Sequence, residues 1–152
     1  MDIKTLTPEV RHIWRVAKVV QSAMGFTMGL YLFTCGPLYY ESLTKVTTPQ
    51  SAMFFTTLLY GITMALIALL EIPTGAIGDA IGRKWTVVWS FVCFMLYYIS
   101  LSFIPLASSL WLILSLAFLG RIILSFAYTF FSGSFTAWCV DSLRETAPEI
   151  GY

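Results

Sequence analysis

The chain has 152 residues, of which 58% are hydrophobic and only 11% charged, with a formal net charge of +1 and a mean hydropathy of +0.79. Soluble domains carry about 25% charged residues, so this composition excludes an ordinary soluble domain. The near-zero net charge leaves no basic patch for nucleic acid. With no glycine-rich phosphate loop, no Ser-His-Asp set and His12 as the single histidine, no enzyme site can be assigned.

Four runs lack Asp, Glu, Lys and Arg: Val19–Tyr40, Val46–Leu70, Trp85–Gly120 and Ile122–Val140. A helix crossing the ~30 Å hydrocarbon core of a bilayer needs about 20 apolar residues. Backbone groups in lipid must be paired within the segment, so such runs predict helices rather than lone strands. The expected fold is an all-α membrane protein with four transmembrane helices, over about 18–40, 51–71, 85–104 and 109–133. An amphipathic lead-in (residues 1–17) precedes them. The four spans and an extension of the last fill residues 18–140, and residues 141–152 form a tail.

The first span starts too late and runs too long for a signal peptide, and is expected to be retained. Its Gly25 and Gly29 form a small-xxx-small pair, followed by Gly36, as in closely packed membrane helices. Gln21, Thr27, Tyr31 and Thr34 are polar positions that either pack or line a cavity. The second span sets Thr56, Tyr60 and Thr63 at helical spacing beside Gly61, Ala65 and Ala68. Residues 71–85, EIPTGAIGDAIGRKW, then read as a turn: Pro73, Gly75, Gly78 and Gly82 interrupt it, and Glu71, Asp79, Arg83 and Lys84 charge it. The third span is bulky and apolar on all sides, which suits lipid or peripheral packing. Pro105 and Ser108–Ser109 separate it from the fourth.

The fourth span carries Arg121, twelve residues after Ser109 and so near the expected bilayer middle. A charge there costs ~2.5–3.5 kcal/mol on insertion scales, so it must face the bundle or a wet cavity. Helical steps from it reach Ser125, Tyr128 and Ser132 on one face. This stripe reads either as an arginine tied to neighbouring carbonyls or as a site for substrate or proton coupling. Cys35, Cys93 and Cys139 fall at no metal-like spacing and suggest no disulfide framework. No metal or other cofactor is expected.

Basic residues set the expected orientation. Lys4, Arg11, Arg15, Lys18, Arg83, Lys84 and Arg144 fall on one side, against Lys45 on the other. That bias predicts cytoplasmic termini and a cytoplasmic 72–84 turn, in a plasma (inner) membrane. In the turn, Asp79 precedes the third span, where a carboxylate favours the helix N-terminus. Arg83 can form a two-pronged hydrogen-bonded pair with a carboxylate, and Asp141 emerges on the same side, so Asp79, Arg83 and Asp141 are expected to cluster at the cytoplasmic rim.

Gly75-Ala-Ile-Gly-Asp79-Ala-Ile-Gly82-Arg83-Lys84 has the form G-x-x-x-D-x-x-G-R-K. It closely resembles the signature loop between helices two and three of the major facilitator superfamily. Five such residues at this spacing arise by chance roughly once in a million positions. Glu71-Ile-Pro73-Thr-Gly75 is similar to the helix-two ending of exporter-like members. Arg121 matches the arginine of a helix-four R-x-x-x-G-x-G motif, though Ser125 and Ala127 replace its glycines. The segment from Ser132 to Leu143 resembles the end of helix four in some exporter-like members, where an acidic residue, here Asp141, closes the segment.

The resemblance implies the first four helices of a twelve-helix fold, part of a secondary transporter working by alternating access between two halves. It implies proton-coupled efflux of a small molecule, with the bilayer, protons and the remaining helices as partners. It also implies that Gly75, Asp79, Gly82, Arg83 and Asp141 form a conformational latch. Arg121, with Ser125, Tyr128 and Ser132, would serve substrate or proton coupling, and Gln21, Thr27, Tyr31 and Tyr60 would line the cavity. The alternative is a self-standing four-helix membrane protein, either a small dimeric exporter or a non-transporting assembly subunit. The first version is weakened because such exporters use a membrane-embedded glutamate in helix one, and the first span has none.

Overall fold

The computed structural model describes residues 7–146 and is helical almost throughout. The helices are α1 (Pro8–Thr44), α2 (Pro49–Ile81), α3 (Arg83–Phe103) and α4 (Leu110–Thr146), with one 3-10 turn at Ile104–Leu106. All four are long and apolar enough to cross a membrane.

Their starts follow ordinary capping chemistry. Thr7 accepts a hydrogen bond from the Val10 N–H, ahead of Pro8 and Glu9 in the first turn of α1. Thr48 does the same for the Ser51 N–H, ahead of Pro49 in α2. A threonine oxygen satisfies one of the orphan donors of the first turn, and proline at the first position has no donor to lose. Ser109 accepts from the Leu112 N–H at the start of α4.

Three boundaries differ from the sequence expectation. The lead-in is no separate element: α1 runs unbroken from Pro8, carrying Arg11, His12, Arg15 and Lys18 as its first turns, while residues 1–6 lie outside the described residues. The 72–84 stretch is not an open turn. Helix α2 continues through Pro73, Gly75 and Gly78 to Ile81, and only Gly82 separates it from α3. Pro73 removes one donor from the helix ladder. The carbonyl that loses its partner is that of Leu69; the Thr74 hydroxyl donates to the next turn, to the carbonyls of Leu70 at 2.6 Å and Glu71 at 3.3 Å. Finally, α4 does not stop near 133 but extends to Thr146, so Asp141 is a helical residue; of the expected tail, residues 147–152 lie outside the described residues.

Helix α4 is the hub, packing most extensively on α3 and α2, with α1 more lightly against α2 and α4. The buried core joins Tyr31, Cys35 and Tyr39 of α1, Leu59 of α2, Phe94 and Tyr97 of α3, and Ala117, Leu124 and Ala127 of α4. Large apolar side chains also cover the outside, among them Phe33, Leu69, Ile72 and Trp111. That exterior belongs to a bundle whose surroundings are themselves apolar.

Two candidate sites, one at the rim and one in the core

The rim site is built where α2 ends, α3 begins and α4 nears its own end. Gly82 has φ +92°, the one positive-φ residue among those described. Left-handed backbone of this kind is readily adopted only by glycine. It turns the chain sharply enough for α3 to start at the next residue, so Asp79 and Arg83 stay four residues apart across the joint. Gly78 sets the separation of α2 from α4: a Cβ there would lie 2.8 Å from Ser134 Oγ. Gly75, by contrast, has nothing within 4 Å of where its Cβ would sit.

This close approach brings three charges together. Arg83 Nη2 lies 3.4 Å from Asp79 Oδ1, and Arg83 Nη1 lies 3.0 Å from Asp141 Oδ2. One guanidinium thus joins the end of α2, the start of α3 and the last third of α4. It also separates two cavities. One, of about 230 Å³, runs between α2 and α4 past Glu71, Gly75, Thr129 and Gly133. The other, of about 560 Å³, opens beyond Arg83 among Lys84, Trp85, Trp138 and Glu145. Asp79 and Arg83 line both.

The core site centres on Arg121, which is 0% exposed. Its Nη1 donates to the Tyr31 hydroxyl at 2.8 Å. Its guanidinium carbon stands 4.7 Å from the ring centres of Tyr39 and Tyr60 and 5.6 Å from that of Tyr31. Aromatic faces at such distances attract a cation by up to about 2 kcal/mol when desolvated. The tyrosines also brace one another: Tyr31 packs on Tyr60 at 6.1 Å and on Tyr97 at 6.2 Å between ring centres. Cys35 Sγ lies 3.1 Å from the Tyr60 hydroxyl. The cage leaves Nε and Nη2 of Arg121 buried without a hydrogen-bond partner, together with the hydroxyls of Tyr39 and Tyr97.

The expected polar stripe on α4 divides. Ser125 is buried beside Arg121, but its hydroxyl donates to the Arg121 carbonyl at 2.8 Å, within its own helix. Ser132 likewise donates to the Thr129 carbonyl at 3.4 Å. Tyr128 faces a cavity of about 340 Å³ between α1, α2 and α4, which Tyr31 also lines. Of the expected cavity residues, Tyr31 and Tyr60 meet Arg121, but Gln21 and Thr27 do not. Gln21 lines a separate groove near Trp14 and Lys18. Thr27 donates to the Ala23 carbonyl and offers its own carbonyl to the Tyr98 hydroxyl at 2.6 Å.

Sequence reasoning missed Tyr39 and Tyr97. Tyr31, Cys35 and Tyr39 stand four residues apart on α1, a one-face spacing from which Tyr39 could have been found; Tyr97 gave no such signal within a uniformly bulky helix. Among the described residues, no three His, Cys, Asp or Glu side chains gather as metal ligands would, and all three cysteines are free.

Fold and sites together define an all-helical protein whose four helices are long and apolar enough to span a bilayer, with an ion-paired rim and a buried arginine. No protein-family model matches the chain, and no curated protein or solved structure matches it.

Proposed function

We propose that the chain is the N-terminal part of a secondary active transporter of the major facilitator type. On this reading it moves a small molecule by alternating access and is driven by proton antiport. The observation that carries the proposal is Arg83. It belongs to a G-x-x-x-D-x-x-G-R-K stretch that straddles the α2–α3 joint, and it reaches Asp141 on α4 at 3.0 Å. A guanidinium bridging three helix segments at one rim is a contact that a rocking motion can make and break. Asp79, Arg83 and Asp141 are then the latch, with Gly82 supplying the bend. The excess of basic residues at this end assigns it to the cytoplasm.

Arg121 supports the transport reading for a separate reason. Ionisable groups inside membrane helices are costly and commonly mark substrate or proton pathways. In the self-standing alternative, Arg121 would serve only to pair across an interface, yet its ring cage comes from within this bundle.

The test is transport by the full-length protein in sealed vesicles. Arg83→Ala is expected to insert normally and lose most solute flux, and Arg83→Lys to keep part of it. Undiminished flux in Arg83→Ala would rule out the latch. Flux that ignores an imposed pH gradient would rule out proton coupling.

A further inference from the structure

We infer that Arg121 and the adjoining α1–α2–α4 cavity form a binding site for an amphipathic organic anion, a monocarboxylate with an apolar tail. The inference rests on the transporter reading for calling that anion a substrate, but the binding chemistry stands on the site itself.

The anionic end follows from what Arg121 lacks. Its Nη1 is taken by Tyr31, while Nε and Nη2 have no partner. Those two nitrogens present parallel N–H bonds along one edge of the guanidinium, the edge that the two oxygens of a carboxylate match. The surrounding rings attract the cation but carry no net charge, so they do not neutralise it. The ion pairs found among the described residues involve Arg83 and Lys45, not Arg121. A buried charge is tolerated when it is paired and hydrogen-bonded, and a bound carboxylate supplies both at once.

The apolar end follows from the cavity. It measures about 340 Å³ and is walled by Met28 and Leu32 of α1, Met64 and Ile67 of α2, and Leu124 of α4. The size suits a small ligand, and the methionines give the walls some adaptability. The Thr63 hydroxyl is already committed to the Leu59 carbonyl at 2.8 Å, so it offers the tail no competing donor. Tyr31 belongs to both halves of the site: its side chain lines the cavity and its hydroxyl holds Arg121. Arg121 is fully buried and does not itself line the cavity, so on this inference Tyr31 must turn aside for the carboxylate to reach the guanidinium. No carboxylate lines the cavity, so a cationic ligand would meet only the repulsion of Arg121.

The test is equilibrium binding of radiolabelled octanoate to the full-length protein in lipid nanodiscs, with octanol, octylammonium and oleate as competitors. Octanoate should displace the label at least about tenfold better than octanol, the loss expected when charge-assisted hydrogen bonds go unmade. Octylammonium should not compete. Oleate competing as well as octanoate would identify the anion as one drawn from the bilayer, and its failure would identify a water-soluble one; both support the site. Arg121→Met, which removes the fork at similar bulk, and Leu124→Trp, which fills the cavity but keeps the arginine, should each weaken binding by about tenfold or more.

Equal competition by octanol or octylammonium in the unaltered protein overturns the inference, whether or not the variants fold. So does unchanged octanoate binding in both variants. No octanoate binding by a protein that still transports another solute overturns this inference and leaves the transporter reading intact. Octanoate binding by a protein that carries no solute across the membrane supports the site and removes that reading.

Discussion

The contact between Arg83 and Asp141 should contribute a small, measurable and salt-sensitive coupling between the α2–α3 joint and α4. Arg83, Asp79 and Asp141 side chains are 36%, 70% and 50% exposed. Ion pairs this wet contribute about 0.2–1 kcal/mol. The 3.0 Å contact to Asp141 belongs in the upper half of that range, about 0.5–1 kcal/mol. The 3.4 Å contact to the more exposed Asp79 belongs near the bottom, about 0.2–0.5 kcal/mol. A coupling of 0.5–1 kcal/mol shifts an equilibrium roughly two- to fivefold. The assay is a double-mutant cycle of Arg83→Ala and Asp141→Asn, reading unfolding free energy in mixed micelles. Raising salt from about 0.1 M to about 1 M shortens the Debye length from about 10 Å to 3 Å and should remove most of the coupling. A cycle that closes to zero at low salt would mean that the two side chains do not meet in solution. A coupling above about 2 kcal/mol that survives high salt would mean the rim is far drier than these exposures imply.

The glycines of the α2–α3 joint should differ sharply in tolerance. Gly78→Val forces side-chain volume against Ser134 and Thr86 and should cost about 1–3 kcal/mol in thermal unfolding, whereas Gly75→Ala meets nothing and should stabilise α2 by up to about 1 kcal/mol. Equal effects would contradict the close approach of α2 and α4 at Gly78. Gly82→Ala places a side chain at φ +92° and should cost about 1–3 kcal/mol, read from the same melts; a neutral result would mean the joint adopts another bend. Tyr31→Phe removes the one hydrogen-bond acceptor of Arg121 and should cost about 1.5–3 kcal/mol. Combining it with Arg121→Met should recover most of that loss, and a fully additive pair would refute the contact.

The four helices were legible because long uncharged runs leave a chain few alternatives in lipid. Their ends were not. Pro73, Gly75 and Gly78 read as breakers, yet an apolar setting favours keeping the backbone bonded to itself, and α2 runs on through all three. Only Gly82, where φ turns positive, breaks the helix. Asp79 and Arg83 could be paired from their spacing of four, and Asp141 from its side of the membrane. That Gly78 brings α2 against Ser134 could not be read from one strand of text. Helical spacing suggested one stripe of Ser125, Tyr128 and Ser132, but Ser125 is buried while Tyr128 is exposed, and periodicity does not say where a hydroxyl donates. Both serines spend theirs on their own helix, and the partners of Arg121 come from α1 and α2 instead.

The two arginines sit in opposite energetic regimes, and that difference bears on which can act as a switch. Arg83 is about a third exposed, and its ion pairs are worth from below thermal energy, for Asp79, to about one to two times it, for Asp141. Either pair can open without leaving a charge stranded, because solvent replaces the lost partner. Arg121 has no such freedom. It is fully buried, and losing its hydrogen bond to Tyr31 costs about 1.5–3 kcal/mol with no water to replace it, so its cage holds unless something takes over the contacts it gives up. On the inference above, a carboxylate bound at the unpaired Nε and Nη2 would do that. The rim is therefore the part of the bundle whose charged contacts open at least cost, and the core the part held most firmly. If the bundle belongs to an alternating-access transporter, as proposed, the rim supplies a contact weak enough to break every cycle and the core one that yields only to a bound ligand.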